Sequence, residues 1–152
     1  MATEPDPAHL AAWRALLGAH ATAIAAIERD LAAEGLVPLV WYDVLVALWE
    51  APDGRLRLNE LASALLLSRS GLTRLVDRLE AAGYLRREPC PTDRRGAFAV
   101  LTPDGRAAQL RAWPTYARGI VRHFARFVEP DETAPLTAAL ARVRDGGVAT
   151  TG

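Results

Sequence analysis

The sequence predicts a mainly α-helical domain that carries a small antiparallel β-sheet. Apolar residues recur at helical spacing through most of the chain, and only the short runs 84–90 and 96–101 have the character of strands. Residues 91–95 between them are typical of a turn, so the two runs are expected to form a hairpin. Residues 55–58 are long enough for a third strand. About six helices and a two- to three-stranded antiparallel sheet are therefore expected.

Length and composition fit one cytoplasmic domain. The chain has 152 residues and is 51% hydrophobic, which is enough for a core of its own. Its longest uninterrupted apolar runs are much shorter than a membrane span, so no membrane partner is expected. The first residues lack the basic and apolar regions of a secretory signal peptide, which predicts a cytoplasmic location.

Two helices are predicted before the first strand. The pair Asp6-Pro7 is typical of a helix start, and this helix is expected to end near Glu34-Gly35. Pro38 can begin the second helix, which runs through Glu50 and is stopped by residues 51–54. One stripe of the first helix is apolar and contains Leu10, Trp13, Leu17, Ile24, Ile27 and Leu31.

Two further helices, over residues 59–65 and 68–83, have the pattern of a DNA-reading pair. The second is predicted to begin at a Ser68 N-cap and to end at Gly83. Its buried stripe holds Leu72, Leu75, Val76 and Leu79. The candidate DNA-binding residues of this helix are polar groups that can bond base edges and phosphates in a major groove: Ser68, Arg69, Ser70, Thr73, Arg74 and, with less support, Arg78.

The hairpin after this helix is predicted to be a wing with two arginines at its tip. Arg94 and Arg95 lie in the turn 91–95 and would reach a minor groove, where narrow A·T-rich geometry concentrates negative potential. Asp93 is expected to orient one of these arginines, and all three residues are candidate members of the DNA-binding site.

At these positions the chain resembles the MarR family of bacterial winged helix-turn-helix regulators. The resemblance rests on residues 67–85, then 86–87, 93–95 and 101–106, and it extends in pattern from about Pro7 to Arg144. It implies that Asp93 and Arg95 form the Asp-x-Arg signature of the wing and that Arg95 enters the minor groove. It also implies repression of transcription that a small effector relieves.

Charge is unevenly distributed along a chain whose formal net charge is zero. Residues 1–54 contain two arginines and eight acidic residues, whereas residues 55–106 contain ten arginines and six acidic residues. Residues 107–152 contain six arginines and four acidic residues. A neutral protein with a basic middle third suits a DNA binder, because only the face near the phosphates must release counterions.

The two ends of the chain are predicted to form a homodimer. A helix should open at Thr102-Pro103 and kink or break at Pro114, and a last helix should run from near Thr133 to Arg144 and end at Gly146-Gly147. The single domain 1–152 then divides into dimerisation helices, 7–34 and 107–146, and a winged helix-turn-helix region, 38–104. Apolar residues expected across the two-fold axis are Leu10, Leu17, Phe124, Phe127, Leu136 and Leu140. Such a dimer would bind a pseudo-palindromic site.

A small-molecule effector site is a second hypothesis. The resemblance places effectors at the junction of the dimer region and the winged region, and an aromatic-lined pocket with a cationic contact would hold a small aromatic or carboxylate ligand. The candidate ligand-binding residues are Trp13, Arg14, His20, Trp41, Tyr42, Asp43 and Trp113. The alternative is that the tryptophans are ordinary core residues.

Other classes of function find little support in the sequence. The single cysteine, Cys90, excludes an intrachain disulfide, and no metal or other cofactor is expected. Cys90 is interpreted as a small apolar filler or as a redox sensor. No phosphate-binding glycine loop or catalytic triad motif is present, so an enzyme is not expected. The remaining alternative is a winged-helix protein-interaction module that does not bind DNA.

Overall fold

The computed structural model describes residues 4–148, with positions 94, 95, 147 and 148 described by their backbone alone. Within this range there are six helices and three strands, as the sequence predicts. The helices are α1 (Pro7–Ala33), α2 (Leu39–Glu50), α3 (Leu58–Ala64), α4 (Arg69–Ala81), α5 (Pro103–His123) and α6 (Thr133–Val148). The strands are β1 (Arg55–Arg57), β2 (Leu85–Cys90) and β3 (Asp93–Leu101).

The three strands form an antiparallel sheet in the order β1-β3-β2. The predicted third strand is confirmed, because Leu56 of β1 pairs with Ala99 of β3. On the other side of β3, Leu85 of β2 pairs with Leu101. The sheet thus joins the segment before α3 to the hairpin after α4, which we call the wing (β2 and β3).

The predicted turn 91–95 is too long. Only Pro91 and Thr92 lie outside the strands, since β3 already begins at Asp93 and Cys90 pairs with Asp93 after an irregularity at Pro89. The backbone of residues 94 and 95 therefore belongs to β3 and not to the tip. The sequence missed this because the polar end of β3 pairs through its backbone and lacks an alternating apolar pattern.

In the second half of the chain, neither Pro114 nor Gly146 ends a helix. α5 continues without a break through Pro114 and ends at His123, and a 3₁₀ turn over Ala125–Phe127 follows it. Next to Pro114, the buried Thr115 donates a hydrogen bond to Glu34 Oε2 at 2.6 Å, so packing offsets the bond that the proline removes. α6 runs past Gly146 to Val148, so the glycines do not end it.

The chain divides into two compact units, of which Glu28–Ala117 is one. Its core joins α2, α3, α4 and the sheet through fully buried aliphatic side chains, among them Val44, Leu45, Leu48, Leu61, Val76 and Leu79. A residue distant in sequence stabilises the start of α2, because Glu28 Oε1 accepts a hydrogen bond from the Leu39 N–H at 2.9 Å. This unit contains the whole predicted helix-turn-helix and wing.

The other unit combines the described parts of Met1–Ile27 and Arg118–Gly152. Ile27 is buried and packs against Gly119, where an added Cβ would lie 2.8 Å from Ile27 Cγ1. Many of its large apolar side chains are nevertheless exposed: Trp13, Leu16, Leu17, Val121, Phe124, Phe127, Leu140 and Val143. Of the predicted two-fold residues, Leu17, Phe124, Phe127 and Leu140 are in this exposed group.

α1 also has the length and hydropathy of a membrane-spanning helix, with a mean hydropathy of 1.4 in its most apolar window. The prediction from uninterrupted apolar runs overlooked this, because polar residues such as Arg14, His20 and Thr22 interrupt the apolar residues of α1. By itself this is weak support for a membrane span, because the core helices of soluble proteins can have the same length and hydropathy.

Candidate nucleic-acid interface

α4 begins and ends as the sequence predicts. Ser68 has extended backbone angles, and its Oγ accepts a hydrogen bond from the Gly71 N–H at 3.1 Å. At the other end Gly83 has φ +79°, and the N–H groups of Gly83 and Tyr84 bond back to the carbonyls of Glu80 and Leu79. These are the two bonds of a Schellman motif, which requires a left-handed residue at Gly83.

The two faces of α4 separate as expected. Leu72, Leu75, Val76 and Leu79 are buried against the core. The candidate DNA-binding residues of the helix are all exposed, namely Ser68, Arg69, Ser70, Thr73, Arg74 and Arg78. Two of their hydroxyls also serve the helix itself, because Ser68 caps it and Thr73 Oγ1 donates to the Arg69 carbonyl at 2.9 Å. The guanidinium groups are therefore the main free donors of this face.

Ion pairing distinguishes the arginines of α4 from those of the neighbouring strands. Among the described residues, Arg69, Arg74 and Arg78 make no ion pair. Asp77, the acidic neighbour of Arg78 in sequence, binds Arg87 of the same chain at 2.5 Å. Three positive charges thus remain available on the outer face of α4.

Arg87 of β2 contacts the helix α4 through its side chain and its backbone. Its NH1 donates to Glu80 Oε1 at 2.9 Å, and its backbone N–H donates to Glu80 Oε2 at 2.6 Å. Burial alone would lower the pKa of Arg87, but the hydrogen bonds to Asp77 and Glu80 outweigh it and raise the pKa. The residue ties β2 to α4, and sequence reasoning missed it because the partners lie seven and ten positions away.

At the wing, the structure describes only part of the predicted site. The side chains of Arg94 and Arg95 lie outside the described residues, so the placement of Arg95 in a minor groove stays a prediction. Asp93 is exposed and interacts with another group of the protein. Gly96 lies close to it, since an added Cβ would be 3.1 Å from Asp93 Oδ2.

A groove of about 460 Å³ lies between the start of α4 and the wing. α4 contributes Arg69, Leu72 and Thr73 to it, and the wing contributes Cys90, Asp93, Gly96 and Ala97. The junction of β1 and α3 supplies the remaining lining residues, Arg57, Leu58 and Asn59. Arg57 and Asn59 were not predicted, although their position at the start of the helix pair was a usable signal.

The predicted effector residues are divided between the two compact units. In the unit Glu28–Ala117, Tyr42 is buried and stacks on Trp113 at 6.5 Å, and both rings contact Tyr116 edge-on. Trp41 instead meets Tyr84 edge-on at 6.1 Å beside the core. In the other unit, the predicted residues Trp13, Arg14 and His20 are exposed on α1. The interpretation of the tryptophans as core residues is wrong for three of them, because Trp13, Trp49 and Trp113 are about half exposed.

Polar groups surround the Tyr42 ring. Gln109 is buried and its Nε2 donates to the Tyr42 hydroxyl at 3.2 Å, while Arg106 donates to Gln109 Oε1 and stacks on Trp49 at 3.5 Å. Burial, together with the charge of Asp43, raises the pKa of Tyr116. This cluster includes Gln109, Arg106 and Trp49, which the prediction left out.

Asp43, whose charge acts on Tyr116, lines a shallow depression of about 450 Å³ together with Val46, Ala47, Glu50, Ala64, Leu65 and Leu66. Burial of its carboxyl group, and then the nearby charge of Glu28, raise the pKa of Asp43. In the described part of the chain, no group of three or more His, Cys, Asp or Glu residues is arranged to hold a metal ion.

Cys90 has features of a small apolar filler and features of a redox sensor. It is only 6% exposed at the end of β2, as expected of a small apolar residue. Hydrogen bonds from the side chain and backbone of Thr92, and then the charge of Arg57, lower the pKa of its thiol.

Comparison with known proteins agrees with this geometry. The family model described as MarR family matches residues 34–96. The HTH-type transcriptional regulator YkoM of Bacillus subtilis is 36% identical over 87 residues, which are 57% of this chain and 56% of YkoM. The match thus spans little more than half the length of that relative.

Two solved structures from Streptomyces coelicolor are similar over nearly the whole chain. AbsC, a MarR family transcriptional regulator, is 31% identical with a TM-score of 0.87, covering 98% of this chain and 100% of AbsC. Sco3205, a MarR family regulator solved in complex with DNA, is 32% identical with a TM-score of 0.86, covering 95% and 91%. The fold, the capped helix with its basic face and these full-length similarities show that the chain belongs to the MarR family of transcriptional regulators.

Proposed function

We propose that this protein is a sequence-specific DNA-binding transcriptional regulator. In this proposal α4 enters the major groove and Arg95 of the wing enters the adjacent minor groove. The observation that carries it is the outer face of α4, where Arg69, Arg74 and Arg78 are exposed and make no ion pair among the described residues. Arginine forks of this kind bind guanine edges and phosphates, and the related Sco3205 was solved with DNA.

A homodimer is the second part of the proposal. The unit built from the two ends of the chain contains large apolar side chains that are 46% to 66% exposed, namely Leu17, Phe124, Phe127 and Val143. Several large apolar side chains exposed in one unit are typical of a surface that binds another protein. A second copy that covers them would place two α4 helices on one pseudo-palindromic operator.

The third part of the proposal concerns regulation. The protein represses transcription, and a small aromatic or carboxylate effector regulates its DNA binding. The ring cluster of Tyr42, Trp113 and Tyr116 supports an aromatic ligand, because its exposed edge offers stacking surfaces beside the polar Gln109. We further propose that the protein acts in the cytoplasm without enzymatic activity, as expected of a regulator whose ligand is chromosomal DNA.

The experiment that tests this function selects binding sites from random duplex DNA and then titrates the best duplex and a scrambled duplex at several salt concentrations. A DNA-binding regulator should bind the selected site at least about a thousandfold more tightly, and its affinity should fall steeply with salt. A winged-helix module for protein interaction would enrich no site and would show no such preference. Repeating the titration with phenolic and carboxylate compounds tests the effector separately.

A further inference from the structure

We propose that the groove between α4 and the wing holds one strand of the DNA backbone, and that Arg57 and Asn59 bind its phosphodiester oxygens there. This inference rests on the proposed function, because it assumes that α4 and the wing bind neighbouring grooves of one duplex. It assigns a binding role to the junction of β1 and α3, which lies outside the recognition helix and the wing.

The position of the groove follows from the shape of a duplex. A sugar-phosphate strand separates each major groove from the adjacent minor groove, so a protein that occupies both must leave room for that strand. Arg69 and Thr73 of α4 line one side of the groove, and Gly96 and Ala97 of the wing line the other. Its volume of about 460 Å³ is open space in which a backbone strand can lie.

The charge of Arg57 is available to a phosphate, unlike that of its neighbours. Arg55 and Arg86 share the carboxylate of Glu88, at 3.5 and 3.0 Å. Arg57 makes no ion pair among the described residues, although it lies on the same strand as Arg55. In the described part of the chain, it is therefore the arginine of β1 that has no acidic partner.

The Arg57 guanidinium makes two contacts with the wing hairpin. Its carbon lies 5.8 Å from the centre of the Phe98 ring, and NH2 donates to Thr92 Oγ1 at 3.4 Å. A guanidinium that makes only a cation–π contact and one hydrogen bond keeps most of its N–H donors free, and they suit the geometry of a phosphate.

Asn59 supplies a second donor. Its Oδ1 accepts the Glu60 N–H at 2.9 Å, which leaves the amide NH₂ as the group that can donate to a ligand. Of the acidic groups nearby, Glu60 accepts the backbone N–H of Arg57, and Asp93, which also lines the groove, interacts with another group of the protein. The groove therefore offers cationic and neutral donors to an anionic strand.

The test compares Arg57→Ala with Arg55→Ala, a matched loss of one arginine from the same strand. Arg57→Ala should weaken binding to the selected and the scrambled duplex by a similar factor. It should also make the slope of log affinity against log salt shallower by about 1, as expected for one lost phosphate contact. Arg55→Ala should leave that slope unchanged, and Arg57→Lys, which keeps the charge, should restore it. Asn59→Ala should weaken binding to both duplexes without changing the slope of log affinity against log salt.

A second arm replaces single phosphates of the operator with neutral methylphosphonates. At one position, the replacement should weaken DNA binding by the wild-type protein. It should not change DNA binding by Arg57→Ala, because that variant no longer binds the phosphate. Urea unfolding of each variant separates loss of contact from loss of folding. If wild type binds its operator but the slopes of Arg57→Ala and wild type are equal, the inference fails and the proposed function stands. If wild type enriches no operator at all, both are overturned.

Discussion

Arg87 and Glu80 are joined by two hydrogen bonds, from the guanidinium NH1 at 2.9 Å and from the backbone N–H at 2.6 Å. Glu80 belongs to α4 and Arg87 to β2, so one carboxylate fixes the wing to the helix that carries the candidate DNA-binding residues. The orientation of the two elements is therefore part of the site, since both must fit neighbouring grooves of one duplex.

Replacing Arg87 by Ala should lower the free energy of unfolding by about 1 to 2 kcal/mol, because it removes charge-assisted bonds and leaves two carboxylates close together. It should also weaken operator binding, although Arg87 itself does not face DNA in our account. The control is Arg86→Ala, whose exposed pair with Glu88 is worth about 0.5 kcal/mol or less. Urea unfolding and DNA titration check both effects, and equal stability of the two variants would contradict the role of Arg87.

Gly105 permits the close approach of α5 to the residue before β2. A Cβ at this position would lie 1.9 Å from the Tyr84 carbonyl oxygen. Because that obstacle is backbone, we expect Gly105→Ala to cost about 3 kcal/mol or more in unfolding free energy. Gly18→Ala in α1, where an added Cβ meets nothing within 4 Å, should be neutral or stabilising. Thermal unfolding of both variants measures the difference, and a fully stable Gly105→Ala would show that this approach is looser than described.

Leu66 lies in the turn between α3 and α4 with φ +55°, a conformation that disfavours side chains with a Cβ. It is 82% exposed, so its side chain contributes little packing in the chain. Leu66→Gly should therefore raise the free energy of unfolding by about 0.5 to 1 kcal/mol through relief of strain. Chemical denaturation checks this, with Leu65→Gly as a control that should destabilise. A loss of stability in Leu66→Gly would mean that the exposed leucine makes contacts that one chain does not contain.

Asp43 provides a prediction about pH. Its raised pKa means that the folded protein disfavours the charged carboxylate, so this residue favours folding most below the ordinary aspartate pKa of 3.8. That contribution is lost as the pH rises through the raised pKa, and Asp43→Asn should therefore be more stable than wild type at neutral pH. The gain should shrink and vanish as the pH falls below 3.8. Unfolding curves across this range measure it, and a pH-independent difference would contradict the assignment.

Local patterns predicted much of the fold because they depend on neighbouring residues. The Ser68 cap, the Gly83 terminus and the apolar stripe of α4 are each set within a few positions, and all three occur as expected. The short strand β1 was predictable from its length and position, and its pairing with β3 followed.

The remaining features depend on residues that are distant in sequence. Glu28 bonds the start of α2 from eleven positions away, and Arg87 takes Asp77 as its partner from ten. Pro114 is accommodated in α5 next to a buried Thr115, and β3 extends to Asp93 by pairing with β2. Tertiary packing determines these hydrogen-bond partners and element boundaries, and local sequence patterns do not predict them.

The most direct test of the central claim measures how Arg69→Ala and Arg74→Ala change binding to the selected operator and to a scrambled duplex. Each variant should lose about 1 to 3 kcal/mol on the operator and much less on the scrambled duplex, because a bidentate arginine reads a base. Arg29→Ala, the same change at an exposed position of α1, should bind as wild type does. Equal affinities of all three variants and wild type for the operator would contradict the assignment of α4 as the DNA-reading helix.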